Sequence, residues 1–366
     1  MIKSWGLILG LGFGGLLLSQ PAHAFPEMVR HGYVNCTSCH VSPSGGGALT
    51  TYGRQLSGDV LSTWSREGEA NVLYGALKPP EWLTLGGDYR AIEIYRDTPQ
   101  VDAYRFLLMQ GDVEAAATYR KFTFDVSLGL YMFEALESRQ FYANYRPTDE
   151  LSFRLGKFRP AYGLMDPDHT TPIHRGLGWD EGTESYNLEA AWLGESFNTY
   201  VTADLGPIGS KIIPTDQREK GVALRTGVPL GESYQVGASY FHGVSESFDR
   251  DVTGPFVILG FTHHFFLMSE ADFQSISPNT AGTTNGWVTY NRLDIEPLQG
   301  LHGYLTCELT RPDFDDSSSQ TSAWGIGAQF FPRPHFEVNF LWQFQSVPAF
   351  PSDVLDYATL LLHYYL

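Results

Sequence analysis

The most chemically active group of residues lies near the start of the chain, where Cys36-Thr37-Ser38-Cys39-His40 forms a C-x-x-C-H motif. Two thiols at this spacing can form thioether bonds to both vinyl groups of a haem, and the adjoining histidine then lies under the iron as an axial ligand. The motif therefore predicts one covalent haem c attached through Cys36 and Cys39, with His40 as the iron ligand.

Two other interpretations of the motif stay open at this point. A local redox disulfide needs only the two cysteines, whereas a zinc site needs a second pair of thiols or histidines at similar spacing. The sequence has no such second pair, and the third cysteine, Cys307, shares the apolar alternation of Leu305 and Leu309. We interpret Cys307 as a small hydrophobic residue and favour a haem at the motif.

The motif does not determine the second axial ligand of the iron. Met28 and His31 lie just upstream of it, and either side chain can fold back over the metal. A methionine would raise the reduction potential relative to a second histidine. The other interpretation of His31 is a surface histidine beside the haem.

A weaker candidate site lies in the acidic, histidine-containing stretch 166–174. Carboxylates suit hard ferrous iron, and imidazole suits iron in general, so a loop with both can bind or guide a metal cation. The candidate ligands are Asp166, Asp168, His169 and His174. The alternative is a polar, proline-rich constriction loop without a specific ligand.

Composition limits the function further. The chain of 366 residues has a formal net charge of −17 at pH 7, which argues against a nucleic-acid partner because phosphates would be repelled. No Ser–His–Asp pattern, phosphate-binding glycine loop or spaced pair of catalytic carboxylates is present. We therefore predict no catalytic residue, and whether the protein is an enzyme stays open.

Residues 1–24 have the three parts of a secretory signal. Lys3 supplies the positive region, 5–18 the apolar region, and Ala22-His23-Ala24 a cleavage site of the A-x-A type. A retained membrane anchor is the alternative, but the apolar run is short for a spanning helix and contains several glycines. Export agrees with the motif, because bacteria attach c-type haem outside the cytoplasm.

From residue 81 onward the dominant signal is the alternation of apolar and polar residues. In the stretch 122–130 every second residue is Phe, Val or Leu, and Thr, Asp, Ser and Gly lie between them. The stretches 151–155, 234–240 and 336–345 alternate in the same way. A period of two predicts strands with one apolar and one polar face.

Three features favour a membrane barrel over a soluble sandwich. The strands are about ten residues or longer, near the length that crosses a bilayer at a tilt. The stretch 357–366 is an alternating strand that runs to the last residue. Tight turns at 147–149, 193–195, 229–231, 297–300 and 332–334 alternate with long loops near 160–183, 207–218, 245–253, 311–321 and 346–353.

These features predict an all-β, antiparallel outer-membrane barrel of about sixteen strands over residues 81–366, in contact with bacterial outer-membrane lipid. Residues 25–80 carry the motif and little strand patterning, and are few for a haem domain with its own core. We predict that they form a haem-binding plug, with the barrel wall completing the core. The plug would enter the lumen from the periplasmic side.

This arrangement resembles the fused cytochrome–porin family of outer-membrane iron oxidases from iron-oxidising bacteria. The order of signal, single C-x-x-C-H motif and porin-type barrel is shared, and the stretch 40–54, with Pro43, Leu49 and Tyr52-Gly53-Arg54, is similar. The triple glycine 45–47 and Leu56 depart from the family pattern. The close resemblance covers only about 35 residues, and the barrel is similar in architecture alone.

The resemblance implies electron transfer across the outer membrane through one haem c. The expected partners are an extracellular donor or acceptor, of which Fe(II) is one candidate, and periplasmic cytochromes or other electron carriers. The competing function is a diffusion porin whose N-terminal segment gates the pore, with Cys36 and Cys39 in a disulfide and no haem. The first predicts a coloured protein with a plugged lumen, the second a colourless one that conducts ions.

Overall fold

The computed structural model describes residues 26–100, 102–131, 136–168, 170–179, 182–208 and 218–366. The predicted secretory signal, residues 1–24, and the candidate ligand His169 lie outside these ranges. Within these ranges, no helix is long and apolar enough to cross a membrane.

Sixteen strands of the described chain form one closed antiparallel barrel. They are β1 (Leu83–Asp97), β2 (Asp102–Tyr119), β3 (Phe122–Tyr131), β4 (Phe141–Tyr145), β5 (Leu151–Phe158), β6 (Ser185–Leu193), β7 (Asn198–Asp204), β8 (Lys220–Leu230), β9 (Tyr234–Val244), β10 (Phe248–Thr262), β11 (Phe265–Pro278), β12 (Thr284–Leu298), β13 (Leu301–Arg311), β14 (Thr321–Arg333), β15 (Phe336–Ser346) and β16 (Leu355–Tyr365). Each strand pairs with its sequence neighbours, and β1 closes the barrel on β16, with Ala91 opposite Leu362. The predicted fold class and strand number are confirmed.

Outward-facing and lumen-facing side chains alternate along the strands. In β3, Phe124 and Leu128 are exposed on the outer surface, whereas Asp125 between them is buried. In β16, Leu362 is exposed and its neighbour His363 is buried. An apolar exterior around a polar interior is the pattern of a barrel that lies in lipid, and it matches the alternation seen in the sequence.

The N-terminal segment, residues 26–80, contains short helical turns and one isolated bridge between His40 and Leu49. The helical elements of the described chain are α1 (Thr51–Leu56), α2 (Pro172–Arg175), a π-helical turn (Ser57–Leu61) and 3-10 turns at Pro26–His31, Val72–Gly75 and Ser317–Ser319. Only α2 and the last 3-10 turn lie outside the N-terminal segment. The segment has a small apolar cluster of its own, formed by Met28, Tyr33 and Leu61, and it also makes contacts with the barrel.

These contacts are made at the end of the barrel that carries the short turns. Asn198 in the β6–β7 turn region donates from Nδ2 to the carbonyl of Val34 at 2.9 Å. Gln299 in the β12–β13 turn donates to the carbonyl of Ser62 at 2.8 Å, and the backbone N–H of His335 in the β14–β15 turn donates to Ser57 Oγ at 2.7 Å. The N-terminal segment thus enters the lumen from the short-turn end.

The long loop after β5 enters the same lumen and packs against the barrel wall. Tyr162 donates from its hydroxyl to Asp272 Oδ1 at 2.9 Å, and the backbone N–H of Leu164 donates to Glu270 Oε2 at 2.7 Å. Leu164 and Ile173 are part of a buried apolar cluster that includes Val29 of the N-terminal segment. The two inserted segments therefore share one core inside the barrel.

One of the predicted loops is wrong. Residues 245–253 were expected to be a long loop, but β10 begins at Phe248 and only three residues join it to β9. Arg250 is buried and binds Glu219 with its Nη2 at 2.6 Å, while Val252 is fully buried. The polar residues that favour a loop lie on both faces of the strand: Arg250 faces the lumen, whereas Asp249 and Asp251 lie on the opposite face.

Candidate haem-binding site

The motif residues form a tight turn inside the barrel. The backbone N–H groups of Cys39 and His40 both donate to the carbonyl of Cys36, at 3.2 and 2.9 Å. This turn brings Cys36, Cys39 and His40 to the wall of a single cavity of about 260 Å³. The structure thus places the three predicted haem-attachment residues together.

Helix α1 holds this turn in place. Thr50 caps the helix, with its Oγ1 accepting from the N–H of Gly53 at 3.0 Å and donating to the carbonyl of Ser38 at 2.7 Å. The backbone N–H of Thr50 donates to the carbonyl of Cys39 at 2.8 Å. A Cβ at Gly53 would lie 2.4 Å from that same carbonyl oxygen, so the close approach requires glycine.

The triple glycine 45–47 has a structural reason. All three residues have left-handed φ angles, +82°, +72° and +64°, which most other residues rarely adopt. A Cβ at Gly45 would lie 3.3 Å from Cys36 Sγ, and one at Gly47 would lie 2.5 Å from Glu114 Oε1. The glycines let the backbone pass between the motif and the barrel wall.

Arg154 of β5 anchors the loop that follows the motif. Its Nη1 and Nη2 donate to Ser42 Oγ and Ser44 Oγ, each at 2.9 Å, and its Nη2 lies 2.8 Å from Glu189 Oε1. The guanidinium also stacks 3.7 Å from the centre of the Phe158 ring. Arg154 and Glu189 are each about 1% exposed, so this is a buried ion pair that positions residues 42–44.

Tyr200 and Arg225 make a second anchor on the neighbouring wall. Tyr200 donates from its hydroxyl to the carbonyl of Pro43 at 2.9 Å. Arg225 donates from Nε to the carbonyl of Gly163 at 2.7 Å and from Nη1 to Asn198 Oδ1 at 2.9 Å. Arg225 thereby connects the loop after β5 to the strand that also binds the N-terminal segment.

The cavity environment keeps the motif side chains neutral. Burial raises the pKa of the Cys36 thiol to about 11, although the nearby Arg225 and Arg154 oppose the shift. Burial lowers the pKa of His40 to about 4, against the opposing effect of the backbone of Gly47 and Gly46. At neutral pH, His40 is therefore an uncharged imidazole, the form that can ligate a metal.

The two candidates for the second axial position lie in different places. Met28 is fully buried and lines the cavity that holds Cys36, Cys39 and His40. The imidazole of His31 instead meets His263 of the β10–β11 turn, with their Nδ1 atoms 3.2 Å apart. Burial lowers the pKa of His31 to about 3. The position of Met28 on the cavity wall therefore favours Met28 over His31 as the candidate second axial ligand.

The structure describes three of the four candidate ligands in the loop 166–174, Asp166, Asp168 and His174, and each of them makes a hydrogen bond within the loop. Asp166 Oδ1 accepts from the N–H of Asp168, and Asp168 Oδ1 accepts from the N–H and hydroxyl of Thr170, so both carboxylates stabilise their own loop. His174 Nε2 lies 2.8 Å from the carbonyl of Asp166. Across the described chain, no group of three or more His, Cys, Asp or Glu side chains is arranged to hold a metal ion.

The donor set at the motif fits a covalently attached haem. Cys36 and Cys39 lie on the wall of one cavity, where both sulfurs would form the thioether bonds to a haem c. His40 supplies an uncharged nitrogen, and Met28 supplies a thioether on the same cavity wall. The three left-handed glycines leave the face of the cavity beside Cys36 without side chains.

Several residues of this site were not found from the sequence. Four residues that hold this site occupy lumen-facing positions of the consecutive strands β5 to β8: Arg154, Glu189, Tyr200 and Arg225. The alternation of apolar and polar residues predicts that they face the lumen, but it does not predict which residues they bind. Ser42, Ser44 and Pro43 lie more than a hundred residues away from them in sequence. A charged residue at an inward strand position was the only available signal.

The comparisons with known proteins concern the fold. No protein-family model matches the sequence, and no curated protein matches it. A loop-deletion mutant of OmpT, an outer membrane protein of Vibrio cholerae, matches with a TM-score of 0.63 at 11% identity, over 78% of this chain and 99% of that chain. The anion-selective porin from Comamonas acidovorans matches with a TM-score of 0.62 at 10% identity, over 78% and 99%. The outer membrane channel DcaP of Acinetobacter baumannii matches with a TM-score of 0.57 at 10% identity, over 78% and 97%.

The chain has the fold of an outer-membrane porin. Together with the apolar outer surface of the strands, this fold confirms the predicted location in the bacterial outer membrane. At about 10% identity, the likeness extends to the fold alone. The role of the motif is therefore argued from the residues of this chain.

Proposed function

We propose that this protein moves electrons across the outer membrane through one haem c bound to Cys36 and Cys39, between an extracellular donor or acceptor and periplasmic electron carriers. The observation that supports this most is the position of the motif. Its two cysteines and its histidine line one cavity inside the barrel, where a cofactor would be shielded from lipid. An apolar band about 25 Å tall separates the two sides, and a redox centre in the lumen shortens that distance.

Haem c would supply one-electron redox chemistry at this position. The chain's own residues prepare the site for it. Buried His40 stays uncharged above about pH 4, so its nitrogen is available without prior loss of a proton. Arg154, Ser42 and Ser44 fix the loop after the motif, and Met28 offers a thioether from the segment before it. Fe(II) is one candidate donor, since the acidic chain attracts cations.

The first test is a reduced-minus-oxidised visible spectrum together with haem staining of a denaturing gel. The protein is expressed in a host competent for cytochrome c maturation and extracted from outer membranes. We expect a c-type α-band and a stained band in the wild type, both lost in Cys36→Ala. The matched control is Cys307→Ala, because Cys307 is exposed and distant in sequence from the motif, and its staining should equal that of the wild type. A colourless, unstained wild-type protein would overturn the proposal.

The second candidate function is a diffusion porin, and the structural likeness to outer-membrane channels favours it. In that case, the N-terminal segment and the loop after β5 would control the pore without a cofactor. The filled lumen favours the electron-transfer proposal, because both segments occupy space that an open pore leaves to water. A coloured protein that conducts ions poorly indicates electron transfer, and a colourless protein that conducts ions indicates a diffusion porin.

A further inference from the structure

The last part of the N-terminal segment has an unusual surface. Residues 62–82, here called the rim segment, expose five large apolar side chains to the outside of the molecule. They are Trp64 (58% exposed), Leu73 (52%), Tyr74 (62%), Leu77 (42%) and Trp82 (57%). A soluble surface rarely carries so many in twenty residues, and such clusters mark contact with a partner or a membrane.

The rim segment is fixed to the short-turn end of the barrel. The backbone N–H groups of Thr63 and Trp64 donate to the carbonyls of Phe331 and Pro332, at 2.9 and 3.2 Å. Arg333 Nη1 lies 3.2 Å from Glu69 Oε2. These bonds place the segment at the edge of the barrel wall, beside the β14–β15 turn, and not in the lumen.

At this edge the exposed side chains continue the lipid-facing surface of the barrel. The ring of Trp64 packs edge-on against Phe330 of β14, with the ring centres 5.7 Å apart. Phe330 shares the outward face of its strand with Trp324 and Ile326, which are 57% and 55% exposed. Trp82 begins the first strand hairpin, where its carbonyl accepts from the N–H of Thr118 at 2.7 Å.

The backbone at the centre of the rim segment is strained. Leu73 and Tyr74 have φ angles of +48° and +57°, a left-handed conformation that is uncommon outside glycine. Such strain persists where surrounding contacts or function maintain it. Here it turns two large apolar side chains outward, where the described residues bury less than half of either.

We propose that the rim segment is a membrane-interface anchor, whose partner is the boundary between headgroups and acyl chains in the leaflet at the short-turn end. Tryptophan and tyrosine favour this boundary because each has an apolar body and a polar edge. The segment contains two basic and three acidic residues, so its binding rests on apolar burial and not on attraction to anionic lipids. Continuity with the lipid-facing wall through Phe330 selects lipid over a protein partner.

The test measures where individual side chains lie relative to the bilayer. Nitroxide spin labels are placed at Tyr74→Cys and Leu77→Cys in full-length protein carrying Cys307→Ser, in nanodiscs of phosphatidylcholine. The same protein without an added cysteine provides the background from Cys36 and Cys39. Two matched controls carry the label at Glu67→Cys, a polar position of the same segment, and at Ala281→Cys, an exposed position in the β11–β12 loop at the opposite end.

Power saturation of the spin signal compares exposure to oxygen, which concentrates in lipid, with exposure to a water-soluble nickel chelate. We expect the oxygen-to-nickel ratio at residues 74 and 77 to exceed that at 281 by several-fold, with 67 close to 281. Ratios at 74 and 77 equal to that at 281 would overturn the proposal and point to a partner absent from the purified protein. Low exposure to both reagents with spin–spin broadening would also overturn it, since a second copy would then cover the segment.

Proteolysis supplies an independent measurement. Arg66, which is followed by Glu67, is a trypsin site within the rim segment. In nanodiscs, the double variant Tyr74→Ser with Leu77→Ser should be cut there at least several-fold faster than the wild type, while heat-modified gel migration shows that the barrel still forms. Equal cleavage rates would contradict a lipid anchor. Neither measurement depends on haem, so the proposed electron transfer can fail while this proposal holds.

Discussion

At the scale of single residues, the site depends on backbone contacts that leave no room for side chains. Gly53 is the clearest example, because α1 reaches the carbonyl of Cys39 only without a Cβ. Gly53→Ala should shift the motif turn and lower the free energy of unfolding by about 1–3 kcal/mol, the usual cost of overpacking. Denaturant unfolding in detergent, with haem staining per mole of protein, measures both effects.

The control for this substitution is Gly282→Ala. No atom lies within 4 Å of a Cβ at Gly282, and its backbone conformation is open to other residues. Its unfolding curve and haem content should match those of the wild type. A Gly53→Ala protein equal to this control in both measurements would show that the motif turn does not need the contact.

Asp166 carries a prediction about pH. It is 3% exposed, and burial raises its pKa to about 7, with the neighbouring Asp168 adding to the effect and Arg292 opposing it. Because the folded state binds this proton more tightly than the unfolded state, its stabilising contribution is complete below about pH 4 and is lost as the pH rises through 7. Asp166→Asn removes the dependence, since the amide Oδ1 still accepts from the N–H of Asp168.

The difference in melting temperature between Asp166→Asn and the wild type should shift in favour of the variant by a few degrees as the pH rises from 4 to 8. Thermal unfolding at matched ionic strength checks this. Asp353→Asn, which changes an exposed carboxylate, is the control variant measured over the same pH range. A constant difference for Asp166→Asn would mean that Asp166 is ionised throughout this range.

At the scale of elements, Arg154 of β5 forms a buried ion pair with Glu189 of β6 and also binds the N-terminal segment. Arg154→Ala would leave Glu189 buried without its cation, which typically costs about 3–5 kcal/mol. It would also release Ser42 and Ser44, which Arg154 binds. We expect the double variant Arg154→Ala with Glu189→Gln to recover part of this loss, because the uncompensated charge is then removed.

A double-mutant cycle in denaturant unfolding measures the coupling between Arg154 and Glu189. The single variant Glu189→Gln completes the cycle, and its hydroxyl partner Thr202 can still donate to the amide oxygen. Additive effects of the two single variants would contradict a direct ion pair. Trypsin digestion of the same proteins reports whether residues 26–80 become more accessible when Arg154 is lost.

The strands could be predicted from the sequence because their signal is local. Outward Phe124 and inward Asp125 follow from a period of two, and the closure of β1 on β16 follows from the need to pair both edges. The motif was readable because its five residues are adjacent. The error at 248–253 arose because the start of this strand is rich in charged residues on both faces, Asp249, Arg250 and Asp251, which is the composition of a loop.

The partners inside the lumen could not be predicted, because they depend on contacts between distant parts of the chain. Nothing near Tyr200 in sequence indicates Pro43, and nothing near Arg225 indicates Gly163. The choice between Met28 and His31 also needed the fold, since both lie within ten residues upstream of the motif. Inside a closed barrel, the partner of a lumen-facing side chain depends on which inserted segment lies opposite it.

At the scale of the whole molecule, the barrel has the size of a water-filled channel but holds two inserted segments. The N-terminal segment enters at the short-turn end, the loop after β5 packs on the inner wall, and Val29, Leu164 and Phe256 belong to one buried cluster. A closed barrel that encloses an apolar core gains stability from its interior as well as from its hydrogen-bonded wall. The two inserted segments occupy part of the lumen that diffusion would use.

This arrangement predicts that the intact chain conducts ions poorly. In planar lipid bilayers, the wild type should show far smaller single-channel conductance than an open sixteen-stranded porin. Arg30→Ala with Arg154→Ala removes two buried anchors of the N-terminal segment, the pair of Arg30 with Glu296 at 2.7 Å and the bonds from Arg154 to Ser42 and Ser44, each at 2.9 Å. This variant should show frequent openings of large conductance, because the segment can then leave the lumen while the wall stays closed. Wild-type conductance equal to that of an open porin would contradict the plugged lumen and favour diffusion as the function.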